Sequence, residues 1–507
     1  GSIEVSTSVS FLGEGSKSVI LNGRSASGGG NATFAVSVGP CEFNKLTFRD
    51  VRKGKFANSL IEATGLLDKT VAYSLYVHNC KFIQYSPTRS SIACIVAEDC
   101  NDVIVSNNYF EATKLLWSNK SSKVFETGNT YYGNCYTGPY YDQNANLLWR
   151  TDKFDGSGNK FYGKDILTDD SGNLATKGDF TGGRTFAVQQ FDRNVYIANN
   201  TMQRTGLPND NAGEQIMLED IPNVYNDKIE SADKNTLTIP KNIALASDYQ
   251  VAVVSGKGIG QVRYIKSLKN RTITLDRDWN IIPDSTSRIL ISASFHNFAI
   301  YKNTFDCFNN YAEQATATCA VQIYGNTFNC FITKNTMKNM AYGVCVTSHY
   351  IYSKKEQRDQ NVVYWTYIDD NDISNVNVGI WHILAALRVS DTDISGSIPM
   401  YTSLGVAERN NKISNITDFA VSSNKSGRGG VGILLGSRKM ANSESAQTSW
   451  IGSWEYGTVI ENNSFENCAN ANVLLCKNQG GTVMLSNKAV TGTQYTLEDG
   501  PAPVVSK

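Results

Sequence analysis

The sequence predicts an all-β solenoid, a right-handed parallel β-helix carrying one small inserted β unit. Three observations predict it. A short motif of Asn, any residue and an apolar residue recurs along the chain. Runs alternating apolar and polar residues flank the copies, the pattern of half-buried strands. No segment with the 3.6-residue apolar period and caps of an amphipathic helix stands out.

The motif appears as Asn108-Tyr109-Phe110, Asn129-Thr130-Tyr131, Asn159-Lys160-Phe161 and Asn200-Thr201-Met202. It returns as Asn303-Thr304-Phe305, Asn335-Thr336-Met337, Asn371-Asp372-Ile373, Asn411-Lys412-Ile413 and Asn463-Ser464-Phe465. Cys80-Lys81-Phe82 is a variant and Asn487-Lys488-Ala489 a degenerate last copy. Its final residue steps from 82 to 110, 131 and 161 (28, 21 and 30 residues), and from 305 to 337, 373 and 413 (32, 36 and 40). Unequal steps with persistent strands fit stacked coils whose loops vary, about eleven or twelve of them. The Asn is expected at a tight corner, where it tolerates a left-handed backbone and its amide bonds to neighbouring coils. Stacking then sets Asn above Asn and Phe above Phe. Right-handedness follows from the general sense of parallel β-crossovers.

On these residues, with FLGEGSKSVIL (11–21) as an early coil, the chain resembles the pectate-lyase-like superfamily. That resemblance implies a carbohydrate-active solenoid over nearly the whole chain. It does not choose a reaction, since the superfamily holds hydrolases, lyases, epimerases and phage tailspikes.

One interval breaks the repeat, the 103 residues from 202 to 305. The chain is therefore divided into N-terminal coils (1–221), an inserted β unit (222–292) and C-terminal coils (293–507). GKGIGQ (256–261) is too poor in phosphate-loop features to be one, because no Lys-Ser/Thr follows and no helix opens there. Similar Gly-x-Gly-Gln-x-Arg segments with a later Trp and Pro-Asp occur in other β-helix proteins, which gives this segment a structural role or makes it a wall beside a groove.

Lys plus Arg and Asp plus Glu both number 47, so no basic excess points to nucleic acid. No apolar run is long enough to span a membrane. The 11 Cys show no CxxC pair and no zinc spacing, and several sit in apolar strands, so they are expected as buried thiols rather than a disulfide framework. Gly1-Ser2 reads as a cloning remnant and no signal peptide opens the sequence. The class of fold implies an extracellular or cell-surface bacterial protein.

A second set of strands, 91–99, 147–152, 184–192, 213–220, 318–325, 342–350, 379–384 and 430–439, is expected to stack into one sheet with an outer groove. Carboxylates crowd three of these strands, just before the insertion. Glycoside hydrolysis needs two carboxyl groups flanking the bond. Glu219 and Asp220 are the first catalytic candidates, with Asp192 and Glu214 next. Adjacent coils set carboxylates about 5 Å apart, the retaining geometry. Gln189, Gln322, Tyr324, Asp152, His349 and Arg438 line the same face as candidate substrate contacts. Trp149 and Tyr140, beside a Tyr131–Tyr141 loop, offer aromatic faces for sugar rings. His382 lies in an apolar strand and is expected in the core. The expected function is a glycoside hydrolase with no metal and no cofactor, acting on an oligo- or polysaccharide. A polysaccharide lyase or uronate epimerase is the first alternative and would bring Ca²⁺ held by carboxylates. A non-catalytic, tailspike-like glycan-binding solenoid is the second. The carboxylates make the expected groove acidic, which disfavours an anionic substrate.

Overall fold

The computed structural model describes residues 3–22, 32–50, 59–66, 73–84, 94–112, 116–119, 121–132, 140–141, 147–148, 186–189, 192–203, 214–219, 223–245, 249–306, 319–351, 359–385, 400–418, 429–436 and 453–506. The chain is a parallel β-helix with three walls. The first wall runs from Val9–Leu12 to Val504–Ser506 and is thirteen parallel strands deep among the described residues. The second follows the Asn corner of each coil, as in Lys81–Gln84, Tyr109–Ala112 and Thr130–Tyr132. The third includes Ile95–Glu98, Leu116–Asn119, Phe186–Gln189, Glu214–Glu219 and Cys319–Tyr324. In two coils the second and third walls merge into single long strands, Thr336–Ile351 and Asp372–Ala385.

The repeat motif builds an interior spine. Asn108, Asn129, Asn200, Asn303, Asn335, Asn371, Asn411, Asn463 and Asn487 stack in one buried row. From Asn129 onward each Oδ1 accepts both the backbone N–H and the Nδ2 of the Asn one coil earlier, at 2.9–3.1 Å, and Asn108 Oδ1 accepts the Cys80 amide. The remaining Nδ2 hydrogen goes to a strand carbonyl, such as Ile332 for Asn371. The left-handed residue is the one before the rung, not the rung itself: Asn107, Gly128, Asn199, Lys302, Lys334, Asp370, Asn410, Asn462 and Ser486 all have positive φ. The rung Asn is selected for its amide; its neighbour makes the corner.

Apolar rows stack beside the spine. Phe48, Phe82, Phe110 and Tyr131 lie ring on ring, with centroids 4.8, 4.8 and 4.9 Å apart. Tyr131 is thus a core residue, not part of an exposed aromatic loop, and its hydroxyl donates to the buried Glu126 carboxylate. The nine described cysteines are free thiols, eight of them buried. Burial pushes the Cys330 thiol up to about 12, which makes it inert.

The spine also corrects the coil count. Asn129 bonds directly to Asn200, and Ser122–Thr127 pairs with Arg193–Ala198. Asn129 and Asn200 are therefore successive rungs, and Asn159 lies outside the described residues. Leu147–Leu148 pairs antiparallel with Tyr140–Tyr141 in a two-stranded sheet of its own, so these two residues of the expected 147–152 strand do not belong to the third wall; the rest lie outside the described residues. An apolar run states that a strand forms; it does not state what the strand pairs with.

The inserted unit leaves the third wall after Glu214–Glu219 and returns into the first wall at Phe295–Tyr301. Its seven strands form a separate antiparallel sheet. The entering and leaving strands, Asn223–Lys228 and Arg288–Ser292, pair with each other, so the excursion closes on itself. Ala252, Val254 and Leu290 of the unit pack on Phe328, Val362, Tyr364 and Leu404 outside the first wall, a second apolar core that fixes the unit to the solenoid.

Candidate binding cleft

Six residues before each rung, the first wall carries a second row of left-handed residues. Its members are Asp102, Lys123, Asn194, Asn297, Asn329, Trp365, Gly405, Gly457 and Gly481, against rungs 108, 129, 200, 303, 335, 371, 411, 463 and 487. Asn297 donates to Asn194 at 3.0 Å, and Asn329 to Asn297 at 3.5 Å. Asn, Asp and Gly suit this backbone; a tryptophan there is an outlier, at a cost of about 1–2 kcal/mol. Trp365 has φ 59° and keeps 38 % of its surface exposed. Its ring lies over Gly405, where a Cβ would come within 2.4 Å of it. Its indole N–H donates to the Gly260 carbonyl of the inserted unit at 3.2 Å.

Trp365 stands at the mouth of a cleft of about 360 Å³ between the inserted unit and the first wall. Phe328, Asn329, His296 and Trp365 form the solenoid side; Gln250, Gln261, Arg263, Tyr264, Arg277, Asn280 and Ile281 form the other. The motif noted in the sequence shapes it. Gly256, Gly258 and Gly260 all have positive φ, which turns the strand end back on itself. Gln261 then clamps the facing loop: its Oε1 accepts the Asn280 and Ile281 amides at 2.8 and 3.1 Å, and its Nε2 donates to the Ile281 and Gly258 carbonyls at 2.7 and 3.0 Å. Arg263 is nearly buried over the Trp279 ring, with centroid distance 5.2 Å. It donates to the Asp278 carbonyl (2.9 Å), the Val262 carbonyl (2.8 Å) and Asn280 Oδ1 (2.6 Å). The buried His296 ring faces Tyr264 edge-on at 5.0 Å, and its Nδ1 lies 3.1 Å from the Ser294 carbonyl, so Nδ1 carries the proton in the neutral ring.

The residues expected to carry chemistry distribute differently. Gln189, Glu219 and Tyr324 fall in one register position of three successive third-wall strands, and Glu214 pairs with Cys319 at the other end of its strand. Gln322 is half-buried and donates to Thr347 Oγ1 at 3.0 Å. His349 pairs in register with Ala385, and Tyr140 lies in the separate two-stranded sheet. Asp220, Asp152, Trp149 and Arg438 lie outside the described residues. Asp192 was expected on the outer face, but it is 0 % exposed, and its Oδ1 accepts the Ser121 amide of the coil below at 2.7 Å. It sits at the corner just before Arg193–Ala198, a common place for Asp. The cleft beside the inserted unit is a different surface from that third-wall face, and no carboxylate is among its lining residues.

A charged cluster does exist, inside the solenoid. His382 Nε2 bonds to Glu408 Oε1 at 2.7 Å, and Nδ1 lies 2.6 Å from Glu455 Oε1. Thr458 donates to Glu455 at 2.6 Å. Burial alone would lower His382, but the flanking carboxylates outweigh it and raise the imidazole to about 10. Both ring nitrogens face carboxylate oxygen, as an imidazolium requires. All three side chains are sealed from solvent, so the cluster ties walls together rather than meeting a ligand.

No family model matches this chain, and no curated protein does. Among solved structures it is similar to PfbA, a surface adhesin of Streptococcus pneumoniae, at 11% identity over 98% of this chain and 80% of that one, with TM-score 0.35. It is also similar to the Dettilon tailspike protein (10% identity, 91% and 62% coverage, TM-score 0.31) and to the gp49 tailspike of Pseudomonas phage LKA1 (10%, 61% and 60%, 0.25). The match spans about three-fifths of the length of each tailspike. No helix among the described residues is long and apolar enough to cross a membrane.

Proposed function

We propose that the chain binds a saccharide in the cleft between the inserted unit and the first wall. One observation carries the reading: exposed aromatic faces, Trp365 and Tyr264, share a cleft with the side-chain amides of Gln250, Asn280 and Asn329. Sugar rings offer apolar C–H faces to aromatics and hydroxyl edges to amides. The solenoid surface beyond continues the theme, since Phe331 (43 % exposed) and Tyr367 stack at 4.9 Å, two residues along from Asn329 and Trp365. A site of this kind suits a protein acting outside the cell. The test is Trp365→Ala in a glycan-array screen followed by calorimetry. Loss of one stacked ring lowers affinity at least about tenfold, as aromatic contacts do. Unchanged binding removes the cleft from consideration.

A second reading keeps the hydrolase. Its support is the register that lines up Gln189, Glu219 and Tyr324 on adjacent strands, with Glu214 at the far end of the Glu219 strand. Glu219 and Asp220 remain its first catalytic candidates, each needing a second carboxylate from another coil, since neighbours along a strand face opposite ways and Asp192 is buried. Reducing-end release that disappears in Glu219→Gln establishes it. Absorbance from an unsaturated product establishes a lyase instead, and a cleft that binds without turnover leaves the binding solenoid.

A further inference from the structure

We propose that this cleft selects glycans bearing an anionic group, and that Arg277 reads the charge; the proposal rests on the saccharide reading above. The cleft holds two guanidinium groups and no carboxylate among its lining residues. The two arginines have different positions to fill. Arg263 has Nε, Nη1 and Nη2 all committed to protein oxygens and is 4 % exposed, so it supplies positive potential and few donors. Arg277 has a side chain 66 % exposed. It makes one long bond, Nη2 to the Val262 carbonyl at 3.4 Å, and its Nε lies 4.0 Å from Asp276 Oδ2. Most of its planar donor fork therefore faces solvent in the cleft.

The electrostatics agree. Burial pulls the Arg263 guanidinium below its ordinary value, the positive charge of Arg277 adds to that, and Asp276 opposes it. The guanidinium groups thus repel each other, and the Asp276 carboxylate that opposes this has its Oδ1 occupied by the Tyr264 amide, while Asp278 pairs with Lys234. An anion beside Arg277 relieves that repulsion. A partly enclosed site with low-dielectric walls strengthens the effect. Arginine presents paired donors that match a carboxylate or a sulfate ester, and such charge-assisted bonds are about twice as strong as neutral ones. With Trp365 and Tyr264 for the ring and Arg277 for the charge, the ligand is a uronate-containing or sulfated oligosaccharide.

The experiment is calorimetric titration of the full chain, at low and high salt, with oligouronates of several linkages, their carboxyl-reduced counterparts, and sulfated neutral oligosaccharides. One acidic series is expected to bind at least about tenfold tighter than its uncharged counterpart, with the gap closing at high salt. Which series does so tells carboxylate from sulfate. Arg277→Gln is expected to bring the acidic ligand down to the affinity of the uncharged one, and Arg277→Lys to restore part of the gap. Equal binding of charged and uncharged members, or an unchanged preference in Arg277→Gln, overturns the proposal while leaving the cleft as a neutral-glycan site if Trp365→Ala still weakens both. If Trp365→Ala weakens neither, the cleft reading itself falls. Binding of no member overturns both.

Discussion

The solenoid carries polar rows on both sides of its first wall, and they obey different rules. The interior row of asparagines is unbroken from Asn108 to Asn487, because every rung donates to and accepts from buried groups that have no water to turn to. The exterior row, six residues earlier in each coil, has only a backbone requirement, a left-handed turn. It accepts Asp, Lys, Asn and Gly, and at one place Trp. A position constrained on one count is where the surface is free to change, and Trp365 marks where the inserted unit docks and the cleft opens.

The largest expected effect tests the interior row. Asn371→Ala leaves the Asn335 amide, Asn335 Nδ2 and the Ile332 carbonyl without their partner. At about 1–3 kcal/mol for each buried orphan, it destabilises by at least about 3 kcal/mol. Asn297→Gly on the exterior row keeps the left-handed turn and destabilises by less than about 1 kcal/mol in urea unfolding, since water replaces its contacts. Similar losses for both would erase the distinction between the rows.

The next effect depends on pH and sharpens what lies inside. His382 ordinarily titrates near 6.5 and is held at about 10 when folded. A raised folded value gives stability that is complete below about pH 6.5 and is lost as pH rises toward about 10. Glu408, raised chiefly by burial, acts in the same direction from the ordinary carboxylate range upward. Thermal melts across this window are expected to fall more steeply for the wild type than for His382→Gln, and parallel curves would show that the cluster contributes nothing.

The smallest effect is the most diagnostic. Trp365→Asn returns the exterior row to its usual residue type, relieving about 1–2 kcal/mol of backbone cost while losing the ring's packing on Gly405 and its bond to Gly260. The two nearly cancel, so stability changes by less than about 1 kcal/mol although the cleft loses its aromatic wall. A loss as large as that of Asn371→Ala would make Trp365 a structural pin.

The same contrast explains what the sequence disclosed. The spine and the Phe48–Tyr131 stack were legible because burial repeats the same demand in every coil. That Asn129 bonds directly to Asn200 is not legible, because three residues satisfy the motif wherever they occur, and stacking is a long-range fact. The left-handed corner was assigned to the rung when it belongs to the residue before it. The third-wall carboxylates drew attention because they are dense in sequence, yet Asp192 is spent on the Ser121 amide. The cleft escaped notice because Gly260 and Trp365 are 105 residues apart. One signal was present: counting back six from each Asn finds residues tolerant of a left-handed turn, until the count from Asn371 lands on a tryptophan.

The asparagine spine has a consequence for how such a molecule changes over time. Successive rungs are joined at 2.9–3.1 Å whether 21 residues separate them, as between Asn108 and Asn129, or 103, as between Asn200 and Asn303. The rung does not register the length of the chain looped out beside it, and loop closure grows costly only slowly with length. Each coil is therefore a socket of fixed dimensions into which a new segment can be spliced without re-engineering the frame. The inserted unit, with its entering and leaving strands paired side by side, has the form of such a cassette. Exchanging it for another with the same paired ends would be expected to change the lining of the cleft while leaving the column intact.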